Sequence, residues 1–85
     1  MRQRETRKPA IPTAEEVEAI IPIIRAAFAG QGIEMTSLGG HPQGGVMAVA
    51  SMADAQKAAL VGRLFEDGIV MAETQRDTFG FAVMR

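Results

Sequence analysis

The segment FEDGIVM, residues 65–71, has the pattern of a helix end, a turn and the start of a strand. Gly68 can adopt the left-handed conformation that ends a helix, and Ile69 can then fold back on the last helical turn. FAGQGIEM, residues 28–35, repeats the pattern, with Phe at the helix end followed by Gly-Ile-x-Met. The repeat predicts two similar halves, each a helix followed by strands. Because it is short, internal duplication and chance similarity both stay open.

Two amphipathic helices are predicted before these turns. Thr13 and Glu16 have the spacing of a capping box, and apolar residues follow three and four positions apart. The second helix is predicted to open at Ser51, with Asp54 completing another capping box. The predicted apolar stripes are Val17, Ile20, Ile21, Ile24 and Phe28 in the first helix, and Ala53, Leu60, Val61, Leu64 and Phe65 in the second.

Each predicted helix is followed by two segments typical of strands. IEMTSL, residues 33–38, alternates in polarity, and VMAVAS, residues 46–51, is nearly continuously apolar, as in a central strand. IVMAETQ and TFGFAVM, residues 69–75 and 78–84, predict a hairpin around Arg76 and Asp77. The order α-β-β-α-β-β is a circular permutation of the split β-α-β arrangement of ferredoxin-like domains. It predicts an α+β two-layer sandwich, a four-stranded antiparallel sheet with both helices on one face.

The sheet face away from the helices is expected to be exposed and apolar. A two-residue turn with an unbroken ladder places one set of hairpin residues toward the core: Val70, Ala72, Thr74, Phe79, Phe81 and Val83. The alternate set is also largely apolar, and monomers rarely leave such a patch uncovered. We therefore expect a homodimer that packs sheet against sheet through Met47, Val49, Ile69, Met71, Ala82 and Met84.

Length and composition predict one small domain, over residues 13–85. The chain has 85 residues, and 47% of them are hydrophobic, which is ample for a packed core. The absence of cysteine excludes disulfides and thiolate metal sites and favours a reducing, cytoplasmic location. No apolar run is long enough for a membrane span. We expect no cofactor and no membrane association.

Residues 1–12 are predicted to form a disordered or extended basic arm, because they lack periodicity and contain two prolines. Residues 1–8 carry four basic side chains and one acidic one, whereas the whole chain has a net charge of −1, so the remainder is acidic. The basic residues, Arg2, Arg4, Arg7 and Lys8, suit contacts with phosphates. Nucleic-acid binding through this arm is therefore an alternative function, although no aromatic residue is interleaved for base stacking.

The segment SLGGHPQGGV, residues 37–46, holds four of the nine glycines and the only histidine. A short turn would join the two strands equally well, so this segment is either a connection without function or a functional element. It matches neither the dinucleotide fingerprint nor the P-loop, and a lone histidine without cysteines favours neither catalysis nor a metal site. We predict no catalytic, cofactor-binding or metal-binding residue. The predicted partner-binding residues are Gly39, Gly40, His41, Pro42, Gln43, Gly44 and Gly45.

Lys57 lies within the apolar stripe of the second predicted helix. One interpretation is a lysine at the rim of the helix–sheet interface, with its ammonium in solvent and a modest pair with Asp54. The alternative is a buried lysine with a lowered pKa in a small-molecule or enzyme pocket.

Together these patterns predict a small, non-catalytic protein–protein interaction module of the regulator or inhibitor type. Its expected partners are a second copy and another protein. The two alternatives are a nucleic-acid binder that uses the basic arm, and a small-molecule binder or enzyme with a pocket near Lys57. Because one fold supports many functions, the fold alone does not decide between them.

Overall fold

The computed structural model describes residues 8–41 and 44–85, and within these residues the chain forms two helices and a five-stranded antiparallel sheet. The domain is of the α+β class. The elements in chain order are β1 (Pro9–Ala10), α1 (Ala14–Gly30), β2 (Met35–Gly40), β3 (Val46–Ala50), α2 (Asp54–Glu66), β4 (Ile69–Gln75) and β5 (Thr78–Met84).

Strand β5 is the centre of the sheet. β4 pairs with one side of β5, while β3 and the short β1 share the other side. β2 pairs with β3 and forms the second edge. The long strands therefore lie in the order β2-β3-β5-β4, with β1 in line with β3. The prediction of a four-stranded sheet was not exact, because residues 9–10 of the predicted arm pair with the end of β5 and add a fifth strand.

Both helices cover the same face of the sheet. Ile24 and Phe28 of α1 and Leu60 and Leu64 of α2 have no exposed surface, and they belong to one apolar cluster with the inward strand residues. The rings of Phe28 and Phe81 pack edge to face across this cluster, 6.4 Å between centroids. The inward strand residues are Val46, Ala48, Ala50, Ile69, Met71, Phe79, Phe81 and Val83. The core thus lies between the helical layer and one face of the sheet.

The predicted capping box of α1 is confirmed. Thr13 Oγ1 accepts from the Glu16 backbone N–H at 3.2 Å, and the Glu16 carboxylate accepts from the Thr13 N–H at 2.8 Å. Gly32, at φ +70°, follows the helix, and the Ile33 N–H reaches the Phe28 carbonyl at 3.0 Å, as in a Schellman motif. Gly68, at φ +77°, occupies the corresponding position after α2. The shared helix-ending pattern therefore has the same physical cause in both halves.

The prediction for the start of α2 was wrong. The helix begins after Ala53, and the Gln56 side chain accepts from the Ala53 N–H at 2.9 Å. β3 extends to Ala50, whose N–H bonds to the Asp77 carbonyl at 3.0 Å. Ser51 therefore lies in the connection between β3 and α2 and does not cap the helix. The predicted stripe was also too wide: Val61 and Phe65 are 42% and 58% exposed. Leu60 and Leu64 alone form the fully buried face of this helix.

The β4–β5 hairpin has the predicted turn but a different register. Gln75 pairs with Thr78 across Arg76 and Asp77, and Asp77 has φ +61°. An extra residue in β4 between Glu73 and Gln75 then shifts the ladder, so that Glu73 pairs with Phe79. Relative to an unbroken ladder from the turn, such a bulge moves the residues of β4 that precede it in the chain to the other face.

The bulge reverses the predicted faces of β4. Ile69 and Met71 are 1% and 5% exposed and lie in the core, whereas Val70 and Ala72 face outward. The prediction that Ile69 and Met71 line an exposed dimer surface was therefore wrong. The physical reason is burial: the bulge places an isoleucine and a methionine in the core instead of a valine and an alanine, which removes more apolar surface from water.

Candidate interaction surface

The face of the sheet opposite the helices, called the outer face below, carries no charged side chain along the described strands. Strand alternation and register arrange its residues in cross-strand rows. The rows are Ser37–Val49–Thr78–Gln75, then Gly39–Met47–Gly80–Ala72, then Ala82–Val70, then Met84–Pro9. Four of the six predicted dimer residues are in these rows: Met47, Val49, Ala82 and Met84. The result is a neutral, largely apolar surface.

Charged residues of the sheet reach instead toward the helical layer. The Glu73 carboxylate pairs with the Lys57 ammonium of α2 at 2.7 Å. At the opposite corner, the Arg85 guanidinium pairs with the Glu16 carboxylate of α1 at 2.5 Å. These ion pairs join the margin of the sheet to both helices, on the side away from the outer face.

A groove of about 280 Å³ opens on the outer face beside Met47. Gly80 of β5 lies at its floor, and Thr74 and Ile11 border it. Ile11 is 67% exposed, and its Cγ2 atom is 3.5 Å from the position that a Cβ at Gly44 or Gly45 would occupy. The segment after β1 and the β2–β3 loop therefore form a wall at one end of the outer face.

The glycine-rich connection between β2 and β3 is short. Gly39 and Gly40 belong to β2, so only residues 41–45 connect the strands. The His41 N–H bonds to the Gly45 carbonyl at 2.9 Å, and the Gly44 N–H bonds to the His41 carbonyl at 2.8 Å. Gly44 and Gly45 have φ values of +99° and +87°, a conformation that requires glycine. These bonds hold the two ends of the loop together, and of its predicted binding residues Pro42 and Gln43 lie outside the described ones.

Lys57 holds the start of α2 against the β4–β5 hairpin. Besides Glu73, its ammonium lies 3.9 Å from Asp54 and 5.9 Å from the centroid of the Phe79 ring. The hydrogen bond to Glu73 raises the pKa of Lys57, and the same bond lowers the pKa of Glu73. Glu73 also accepts from the Asp77 N–H at 3.0 Å, which supports the turn. The hypothesis of a lowered lysine pKa was wrong, because a carboxylate contact stabilises the charged form. The small-molecule or enzyme pocket near Lys57 stays a prediction.

The basic arm is described only from Lys8 onward. The Lys8 and Arg85 backbones exchange two hydrogen bonds of 3.0 Å, which continue the pairing of β1 with β5. Arg2, Arg4 and Arg7 lie outside the described residues. Nucleic-acid binding through the arm stays a prediction.

Within residues 8–41 and 44–85, no group of three or more His, Cys, Asp or Glu side chains is arranged to hold a metal ion. No helix in the same ranges is long and apolar enough to cross a membrane.

Sequence reasoning missed five residues that line the groove: Ile11, Val46, Thr74, Gly80 and Phe81. A usable signal existed for Gly80, because an isolated glycine inside a strand pattern often marks a place that another molecule approaches closely. Ile11 and Thr74 had no comparable signal, since their positions depend on β1 pairing and on the bulge.

Comparison with known proteins found no matching family model, no matching curated protein and no matching solved structure.

Proposed function

We propose that this chain is a small, non-catalytic protein–protein interaction module that pairs with a second copy through the outer face. The observation that carries the proposal is the neutral, largely apolar character of this face, whose rows contain Met47, Val49 and Val70. Charged side chains at the margin of the sheet turn instead to the helices. An apolar surface without charge is favourable to cover and unfavourable to leave in water.

A second copy suits this face because the described strands place no charge on it that would repel the same charge of the other copy across a two-fold axis. Four strands about 4.8 Å apart and about 20 Å long give a flat area of about 400 Å². A standard interface buries about 800 Å² per partner. The exposed Ile11 side chain and the β2–β3 loop extend the face at one end. We therefore expect a weak, reversible dimer with a dissociation constant in the micromolar range.

The β2–β3 loop is the second contact element of the proposal. The loop lies between the outer-face groove and a second cleft, and it contributes His41, Gly44 and Gly45 to both. The second cleft is also lined by Pro12 and by Val17 of α1. From this position the loop touches whatever covers the outer face. As a module without chemistry of its own, the protein would act by contact, in the manner of a regulator or inhibitor of another protein.

We also infer that the domain is a permuted ferredoxin-like sandwich. The strand order β2-β3-β5-β4 and the succession helix, hairpin, helix, hairpin support this classification. The Gly-Ile ends of both helices support an internal duplication, since Gly32 and Gly68 have φ values of +70° and +77° and precede the buried Ile33 and Ile69.

The experiment compares the wild-type chain with Val49→Lys and Val61→Lys by sedimentation or light scattering across a dilution series. Val49 lies on the outer face, and Val61 is an exposed apolar residue of α2, so the second variant adds the same charge to the helical layer. We expect the wild-type chain and Val61→Lys to dimerise alike, and Val49→Lys to stay monomeric. A wild-type chain that is monomeric at every concentration would refute the proposal. So would a dimer that survives Val49→Lys.

A further inference from the structure

Two glycines beside Met47 have no structural reason among the described residues of one copy. Gly39 and Gly80 flank Met47 in its cross-strand row, and neither has a positive φ. A Cβ at Gly39 would meet nothing within 4 Å, and one at Gly80 would lie 3.5 Å from Thr74 Cγ2, an ordinary contact. Glycine inside a strand lowers stability relative to residues with a side chain. Glycine at these two positions therefore lowers the stability of the fold, and the structure of a single copy does not require it.

Because Gly39 and Gly80 have no side chains, they determine the shape of the outer face around Met47. Met47 is half-buried and lies between Gly39 and Gly80 in its cross-strand row. It therefore stands beside two positions without side chains, and Gly45 and Gly80 line the groove next to it. Glycine in a strand interior commonly marks a site that another chain approaches closely.

Resting on the proposed dimer, we propose that Met47 of each copy inserts into the hollow above Gly80 of the other copy. A two-fold interface requires a surface that carries both the projection and the cavity that receives it, and the row Gly39–Met47–Gly80 carries both. Methionine suits the role because its flexible, unbranched side chain adapts to the shape of a cavity. The neutral surroundings add no charge that would require desolvation. The partner that this surface fits is therefore a second copy of the same chain.

The test is a cycle of dissociation constants for the wild-type chain, Gly80→Ala, Met47→Ala and the double variant. A methyl group at Gly80 fills the hollow, so Gly80→Ala should raise the dissociation constant about tenfold or more, the scale of an overpacked contact. Met47→Ala should also weaken the dimer. In the double variant the two effects should fall well short of multiplying, because the hollow no longer has to receive a methionine.

Controls separate the two proposals. Gly62→Ala adds a methyl group to the exposed side of α2, where nothing lies within 4 Å, and should leave the dissociation constant unchanged. Urea unfolding should show Gly80→Ala monomers at least as stable as wild type. If Gly80→Ala does not fold, Gly39→Ala replaces it, since open space surrounds that position. If Val49→Lys abolishes the dimer but Gly80→Ala does not weaken it, or the effects multiply fully, this inference alone is overturned. If Val49→Lys has no effect, both proposals are overturned.

Discussion

Replacing Met71 by alanine tests the bulge that decides which face of β4 enters the core. Met71 is 5% exposed and belongs to the core cluster, while its neighbour Val70 faces outward and is half-buried. Without the bulge these assignments would be exchanged. Met71→Ala and Val70→Ala therefore form a matched pair of truncations at adjacent positions.

The magnitudes follow from burial. Truncating a buried methionine to alanine costs about 2–5 kcal/mol, so we take about 3 kcal/mol for Met71→Ala. Val70→Ala removes two carbon atoms that are only partly buried, and at about 0.8 kcal/mol per fully buried methylene it should cost about 1 kcal/mol or less. For a domain of this size, about 3 kcal/mol corresponds to a fall in Tm of about 12–24 °C.

The assay is urea unfolding followed by circular dichroism, with thermal unfolding as a second measurement. Both are carried out at concentrations where light scattering shows monomers, because Val70 belongs to the proposed interface. Met71→Ala should lower the midpoint at least twice as much as Val70→Ala, with unchanged slope. Equal losses, or a larger loss for Val70→Ala, would refute the bulged register and return Ile69 and Met71 to the outer face.

Two further predictions concern the helix end and the ion pair. Gly32→Ala should lower the free energy of unfolding by about 1–2 kcal/mol because φ is +70°, whereas Gly30→Ala, in a helical position with open space, should raise it by about 0.5–1 kcal/mol. Urea midpoints that shift in the same direction would contradict the helix-end assignment. Lys57 lowers the pKa of Glu73 from 4.5, so their pair stabilises the fold above that pH and the contribution is lost as the pH falls through the lower folded-state pKa. The stability difference between wild type and Glu73→Gln should therefore vanish in acid, and a difference independent of pH would exclude this role.

The parts of the fold that were predictable from sequence are those that local chemistry decides. The Thr13–Glu16 capping box and the glycines after both helices depend only on neighbouring residues. The α-β-β-α-β-β order follows from these boundaries and from apolar periodicity. Each of these signals depends on a few neighbouring residues, so the local sequence is sufficient to predict the corresponding structure.

The errors arose where distant residues decide between equal local options. Ser51 with Asp54 and Ala53 with Gln56 both have a cap-like spacing, and the Ala50–Asp77 hydrogen bond selects the later start by extending β3. The bulge in β4 lies beside Glu73, whose carboxylate binds Lys57 of the distant helix α2 and accepts from the Asp77 N–H of the hairpin turn.

The candidate site was predictable to the same degree. Outward positions of β3 and β5, such as Met47 and Met84, follow from alternation alone and were placed correctly on the outer face. Positions of β4 before the bulge were placed on the wrong face, because one extra residue reverses the alternation. Strand β1 had no signal in the sequence, since two residues pair with β5 through the backbone.

The bulge links the stability of the domain to the strength of its proposed association. An unbroken β4 would expose Ile69 and Met71 and bury Val70 and Ala72, giving a poorer core and a more adhesive outer face. With the extra residue, Ile69 and Met71 fill the core, and the outer face of β4 has Val70 and Ala72 before the bulge. Met47 then stands on a neutral surface of limited area. The bulge therefore has two effects: it fills the core with larger side chains, and it makes the proposed interface less apolar. We expect a stable monomer and a reversible dimer for this reason.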